Sequence, residues 1–249
     1  MEDSLLTNTP ILPEDDNAPR FRAGPMIDYP EFAERARASS GRAVILARHG
    51  ERPPIDPDDP TFGRTLPLTA SGKALARACG RALHGIAAPE DWTFGASSLR
   101  RTMLTAQYVA EEIGAPGEAV SVCPEVGIPG LWVEDAARVH VAQLRDGVRA
   151  YHDRQMREGV ADGFWPIAQC TRNVLHWLSG PAITTRLAFF STHDCHLGCL
   201  LVGLGAARID ADHWVGFLQG CALFREPDGS WLAHYLVPDK ATFANEFIF

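Results

Sequence analysis

Val44-Ile45-Leu46-Ala47-Arg48-His49-Gly50-Glu51-Arg52 joins an apolar run to a turn crowded with charge. Val, Ile and Leu suit a buried strand, and Gly50 permits a sharp exit from it. In open α/β sheets, ligands sit beyond the carboxyl ends of the strands. The exit sets a histidine among arginines at that position. Arginines hold a phosphate dianion through charge-assisted hydrogen bonds, and an imidazole can attack its phosphorus.

Working outward, the next question is what kind of chain surrounds this run. It has 249 residues, 46% hydrophobic and 22% charged, an ordinary globular composition for one domain with room for a large core. The formal net charge is -8, and the lysines are Lys73 and Lys240 alone. With no basic block, nucleic acid is not an expected partner. A small anionic substrate remains compatible, because a few arginines in a cleft set the local field. Cys79, Cys123, Cys170, Cys195, Cys199 and Cys221 form no CxxC pair, and free thiols suit a reducing compartment. No signal peptide and no run of ~20 apolar residues is visible, so a cytoplasmic protein without membrane contact is expected.

Residues 1–25 read as an N-terminal arm and 26–249 as one α/β domain. A short helix is expected within 27–38, and a strand over 43–47. Residues 53–67, rich in Pro and Asp, read as a surface loop. Helices are expected over 69–83, from Ser97 or Ser98 as cap to about 113, over 136–157, 167–178 and 197–204. Strands are expected over 92–96, 120–123, 187–191, 216–225 and 231–237. Glu226-Pro227-Asp228-Gly229-Ser230 is a hairpin signal between the last two. Residues 124–165 break the alternation and read as an inserted cap. The expected fold is a three-layer α/β/α sandwich with a mostly parallel central sheet, a small cap and a C-terminal hairpin.

Three segments share one layout, a strand whose end carries polar groups before a turn or helix. The first gives Arg48, His49 and Arg52. The second, Ser97 to Ala106, sets an arginine in the first turn of a helix. The third gives His193 and Asp194. Parallel strands bring such ends to one sheet edge. With Leu68-Thr69-Ala70-Ser71-Gly72, these ordered pieces resemble the histidine phosphatase superfamily of acid phosphatases, phytases and phosphoglycerate mutases. The match spans residues 44 to about 205, and its His-Asp motif is closer to the acid-phosphatase branch.

The resemblance implies His49 as the nucleophile that becomes phosphohistidine. It implies Arg48, Arg52, Arg101 and His193 as phosphate-binding groups, and Asp194 as the general acid. Glu125 is the alternative acid, because the mutase-like branch takes its acid from a Glu in that region. Leu68, Thr69 and Gly72 are expected to shape the following helix, and Glu51 to pair with an arginine. The implied activity is hydrolysis of a small phosphorylated metabolite, with no metal and no cofactor. The alternatives are a phosphomutase or phosphotransferase, and a non-catalytic phosphate-binding protein on the same fold.

Each piece also has a duller explanation. Taken singly, Arg48 and Arg101 could be surface ion-pair residues and His49 a strand-end histidine, whereas the ordered set weighs against that. His193, Cys195, His196 and Cys199 could suggest zinc, yet Cys195 and Cys199 fall in an apolar helical pattern. Trp132, Trp165 and Trp214 could line a substrate pocket or pack the core. Arg138, Arg145 and Arg149, at helical spacing in the cap, could reach a second anionic group or form a solvated face. Phe243, Phe247, Ile248 and Phe249 form an apolar tail that must pack on this chain or a partner, which leaves a homodimer open.

Overall fold

The computed structural model describes residues 18–56, 59, 61 and 63–243. In chain order it comprises β1 (Phe21–Ala23), β2 (Ile27–Asp28), α1 (Tyr29–Ala38), β3 (Ala43–Arg48), α2 (Ala70–Leu83) and β4 (Trp92–Ala96). There follow α3 (Arg100–Ile113), β5 (Val120–Val122), α4 (Ala136–Asp146), α5 (Val148–Glu158), α6 (Ile167–Ser179) and β6 (Leu187–Thr192). The chain then forms α7 (Asp194–Gly203), β7 (Gly220–Arg225), β8 (Trp231–Val237) and α8 (Lys240–Phe243).

The sheet runs β1-β8-β7-β3-β6-β4-β5, with β2 also on β8. Pairings are parallel except β3 with β7 and the hairpin β7 with β8. β3 is therefore central, flanked by β6 and β7, and all its residues but Arg48 are fully buried. Alternation along the strands splits the core into two layers, because successive side chains point to opposite faces. Val44, Leu46, Ala188 and Phe190 face α5, α6 and α7. Ala43, Ile45, Ala47, Leu187 and Phe189 face α1, α2 and α3. The expected α/β/α sandwich with a mostly parallel sheet and terminal hairpin is the observed architecture.

Four expectations are corrected. Part of the segment read as an arm joins the sheet: Phe21↔Trp231 and Ala23↔Ala233 pair in parallel register, a contact across some 210 residues that no local pattern reveals. Residues 1–17 lie outside the description. The helix expected over 136–157 is two helices, broken at Gly147, whose φ of 81° is a conformation that glycine tolerates. Neither Ser97 nor Ser98 caps α3; Leu99 holds that position without a side-chain bond, and Ser97 is used otherwise. The strand expected from 216 begins at Gly220, after an irregular turn with Leu218 at φ 58°. The loop over 53–67 is irregular where it is described. Of the apolar tail, Phe243 is buried against Tyr235, while residues 247–249 lie outside the described residues.

Candidate active site

β3, β4 and β6 are parallel neighbours, so their carboxyl ends open on one edge. The ladder continues one residue past β3, with His49 N–H donating to Thr192 O at 3.1 Å. Gly50 then turns the chain. A Cβ there would stand 2.9 Å from Gly72 O, and one on Gly72 would stand 2.3 Å from Glu51 O. The Leu68-to-Gly72 motif is thus a seat that lets the start of α2 press against the turn. Thr69 caps α2 by accepting from Gly72 N–H. Among the described residues Glu51 forms no ion pair with an arginine. Its carboxylate accepts from the Ser71 and Thr69 hydroxyls, which hold it below the usual carboxylate range.

His49 is buried at 3% exposure. Its Nδ1 lies 2.8 Å from Gly50 O, an atom that only accepts, so the neutral ring carries its proton on Nδ1. Nε2 is left with its lone pair facing inward, where Arg101 Nε donates to it at 3.1 Å. Burial lowers the His49 pKa, and the Arg101 and Arg48 charges lower it further, to about 3. The ring is neutral throughout the physiological range.

Thr105 fixes this geometry from α3. Its hydroxyl accepts from Gly50 N–H at 2.9 Å and donates to Arg101 O at 2.7 Å. Arg101, also buried, donates from Nη1 to Gly63 O at 3.0 Å. Burial and the neighbouring Arg52 and Arg48 lower its pKa to about 10, so it remains a cation. Arg48 donates to Val215 O at 2.7 Å and lies 4.4 Å above the Phe217 ring. Arg52 is half-buried and donates to Pro53 O. The Nε atoms of Arg48 and Arg52 are buried without an acceptor among the described residues.

His193, the residue just before α7, is 5% exposed, and its ring centroid is 5.8 Å from that of His49. Its Nε2 lies 3.0 Å from Ser97 Oγ. Burial, then His49 and the arginines, hold it well below the usual histidine range. Asp194 opens α7 and pairs with Arg48 at 2.9 Å. Burial raises its pKa, but Arg48, a hydrogen bond from Trp214 and the two histidines outweigh this and leave it at about 2.

The two candidate acids are placed differently. Asp194 acts electrostatically on His49, His193, Arg48, Arg52 and Arg101. Glu125 accepts instead from the Cys123 thiol at 3.2 Å. It lines an open cavity of about 510 Å³ with Ser98, Ile128 and Leu131, which none of those five residues lines. Three nearby residues have roles beyond their local pattern. Phe217 lies under Arg48 and Trp214 bonds Asp194, both from the irregular stretch before β7. Ser97, which resembles a helix cap in sequence, serves His193. Trp132 is fully buried and stacks on His196 at 5.0 Å, a packing role. Among the described residues no group of three or more His, Cys, Asp or Glu side chains is arranged to hold a metal ion. No helix among them is long and apolar enough to cross a membrane.

An imidazole with an unprotonated Nε2, beside arginines and a second histidine, is suited to accept a phosphoryl group. The sequence comparison agrees: residues 44–126 match the model of the histidine phosphatase superfamily, branch 1. The matched segment is about a third of the chain. It contains Arg48, His49, Arg52, Arg101 and Glu125, and it ends before His193 and Asp194, the pair behind the acid-phosphatase expectation. No curated protein matches the chain. Among solved structures, a mycobacterial glucosyl-3-phosphoglycerate phosphatase is similar at 15% identity and TM-score 0.47, covering 78% of this chain and 98% of its own. A phosphoglycerate mutase from Bacillus anthracis is similar at 16% identity and TM-score 0.45, covering 82% and 96%.

Proposed function

We propose that the protein is a phosphomonoester hydrolase that works through phosphohistidine at His49. The observation that carries this reading is the His49 ring, with Nδ1–H spent on Gly50 O and the Nε2 lone pair turned toward Arg101. The substrate phosphate takes the place of that lone pair as partner for Arg101, with Arg48, Arg52 and His193 on the other non-bridging oxygens. The exposed fork of an arginine fits two such oxygens at once.

Nε2 attacks phosphorus, the P–N bond forms and the P–O bond to the alcohol breaks. Arginines aimed at the equatorial oxygens offset the charge there, the dominant aid to phosphoryl transfer. The leaving alkoxide takes a proton from Asp194. In the free protein that carboxyl is ionised beside Arg48. A bound dianion competes for Arg48 and repels a carboxylate, and both effects raise the Asp194 pKa so that it enters the reaction protonated. Water then attacks the phosphohistidine, Asp194 accepts its proton, and phosphate leaves with His49 restored. The arginines do the work of charge offset in this scheme, so no metal enters it.

Rapid quench with a ³²P-labelled phosphomonoester in the presence of EDTA tests the reading. Label on His49, turnover to inorganic phosphate, and loss of both in His49→Ala are expected. Failure to release phosphate from any of a panel of phosphomonoesters would sink it. Transfer of the label to a second alcohol faster than to water would identify a mutase instead.

A further inference from the structure

Helices α4 and α5 carry five arginines, and four of them form ion pairs. Arg138 pairs with Asp162, Arg145 and Arg154 with Asp146, and Arg157 with Asp153. Arg149, in the first turn of α5, makes no ion pair among the described residues. Its guanidinium lies 4.2 Å above the Trp214 ring and donates from Nη2 to Ala211 O. A guanidinium has five N–H donors, so most of this exposed fork faces solvent unbound.

Trp214 ties that fork to the site. Its indole donates to Asp194, which pairs with Arg48. The loop beneath is braced from both sides: Ala211 N–H donates to Asp153 at 2.9 Å, and Asp210 accepts from Asp212 and His213 N–H. The Arg149 charge also reaches Arg48. The cation is thus preorganised on an aromatic shelf, one residue away from the carboxylate assigned to the leaving group.

We infer that Arg149, held on Trp214, receives a second anion on the alcohol portion of the substrate. The favoured substrates are then phosphomonoesters whose leaving group bears a carboxylate or a further phosphate. This rests on the phosphatase reading, and it accounts for a cap arginine left without a carboxylate of its own. A flat fork over an aromatic ring meets a carboxylate or phosphate edge with two parallel hydrogen bonds, which a lysine could not reproduce.

Phenyl phosphate and 4-carboxyphenyl phosphate separate the two ideas, with wild type, Arg149→Ala, Arg149→Lys and His49→Ala compared on both. The ratio of kcat/KM for the carboxylate ester to that for the plain ester is expected to fall about 10- to 100-fold in Arg149→Ala. Arg149→Lys should recover part of it, and the loss should lie mainly in KM. A ratio unchanged within about twofold in Arg149→Ala overturns this inference, as does a wild type with no preference between the esters. In those cases phenyl phosphate turnover dependent on His49 leaves the phosphatase reading standing. Turnover that His49→Ala does not abolish defeats that reading and this inference together.

Discussion

The arginines at the strand ends and the ion-paired arginines of α4 and α5 have the same chemistry and opposite surroundings. Arg138 keeps 56% of its side chain exposed and meets its own carboxylate, Asp162. Arg48 keeps 15%, and Arg48, Arg52 and Arg101 cluster around one carboxylate, Asp194. An exposed ion pair contributes roughly 0–1 kcal/mol and leaves little field. One buried and two half-buried cations against one anion leave a net positive charge where Coulomb interactions are screened less than in water. Burial first, and the neighbouring arginines after it, depress the pKa values of His49 and Arg101. The difference is one of pairing: four arginines of α4 and α5 meet carboxylates close by, whereas the three at the strand ends share Asp194.

The comparison breaks first at the acid. Asp194→Asn is expected to lower kcat on alkyl phosphates by about 10²- to 10⁴-fold, with a far smaller loss on 4-nitrophenyl phosphate, whose leaving group needs no proton. Glu125→Gln should leave both within about threefold; the reverse pattern in the two variants would transfer the acid role to Glu125. Next come the arginines themselves. Arg101→Ala should cost on the order of 10²- to 10³-fold in kcat/KM, by loss of one charged donor to the transferring group. Arg138→Ala in the cap should stay within about twofold, and equal losses in steady-state assays would erase the distinction drawn between the two regions.

The effect furthest from the chemistry is on stability. His49, His152, His193, His196 and His234 all lie below the usual histidine range, burial being the largest cause in each. Folded, they stay neutral where the unfolded chain binds protons, near pH 6.5. Unfolding therefore takes up protons below that pH. Stability should be flat above about pH 7 and fall as pH drops from 6.5 toward 3, by up to about 1.4 kcal/mol per pH unit for each such histidine. Asp194 adds a further loss below about pH 4, where the unfolded carboxyl protonates first. Urea midpoints at pH 8, 7 and 5.5 measure this, and His49→Gln should reduce the slope by as much as one proton.

Much of this was legible in order along the chain. An apolar run ending in Arg48-His49-Gly50 has one plausible structural reading, a buried strand with a polar exit, and β3 is that strand. The Ser97-to-Ala106 and His193-Asp194 segments followed the same rule and meet it at neighbouring strand ends. The misreadings share a cause. Gly147 sits inside an unbroken helical pattern, so periodicity hid the break. Glu51 has arginines on either side in sequence, yet its reachable partners in space are the hydroxyls at the start of α2. Trp214 and Phe217 lie in a stretch with no periodicity, and their importance comes from what packs above them.

The sequence by itself determined the local chemistry: which strands are buried, where they end, and which side chains stand at those ends. Backbone propensity and side-chain alternation suffice for that, because both act over a few residues. Tertiary structure alone decided which of these groups meet. It brought Arg101 to His49 Nε2, set Ser97 on His193, gave Asp194 rather than Glu125 to the arginines, and laid Arg149 on Trp214. Each of these is a contact between segments some fifty or more residues apart, fixed by sheet order and by the close approach of α2 and α3 to the turn. No short-range rule encodes those distances, and the depressed pKa values of His49 and Arg101 follow from the burial and charge they create.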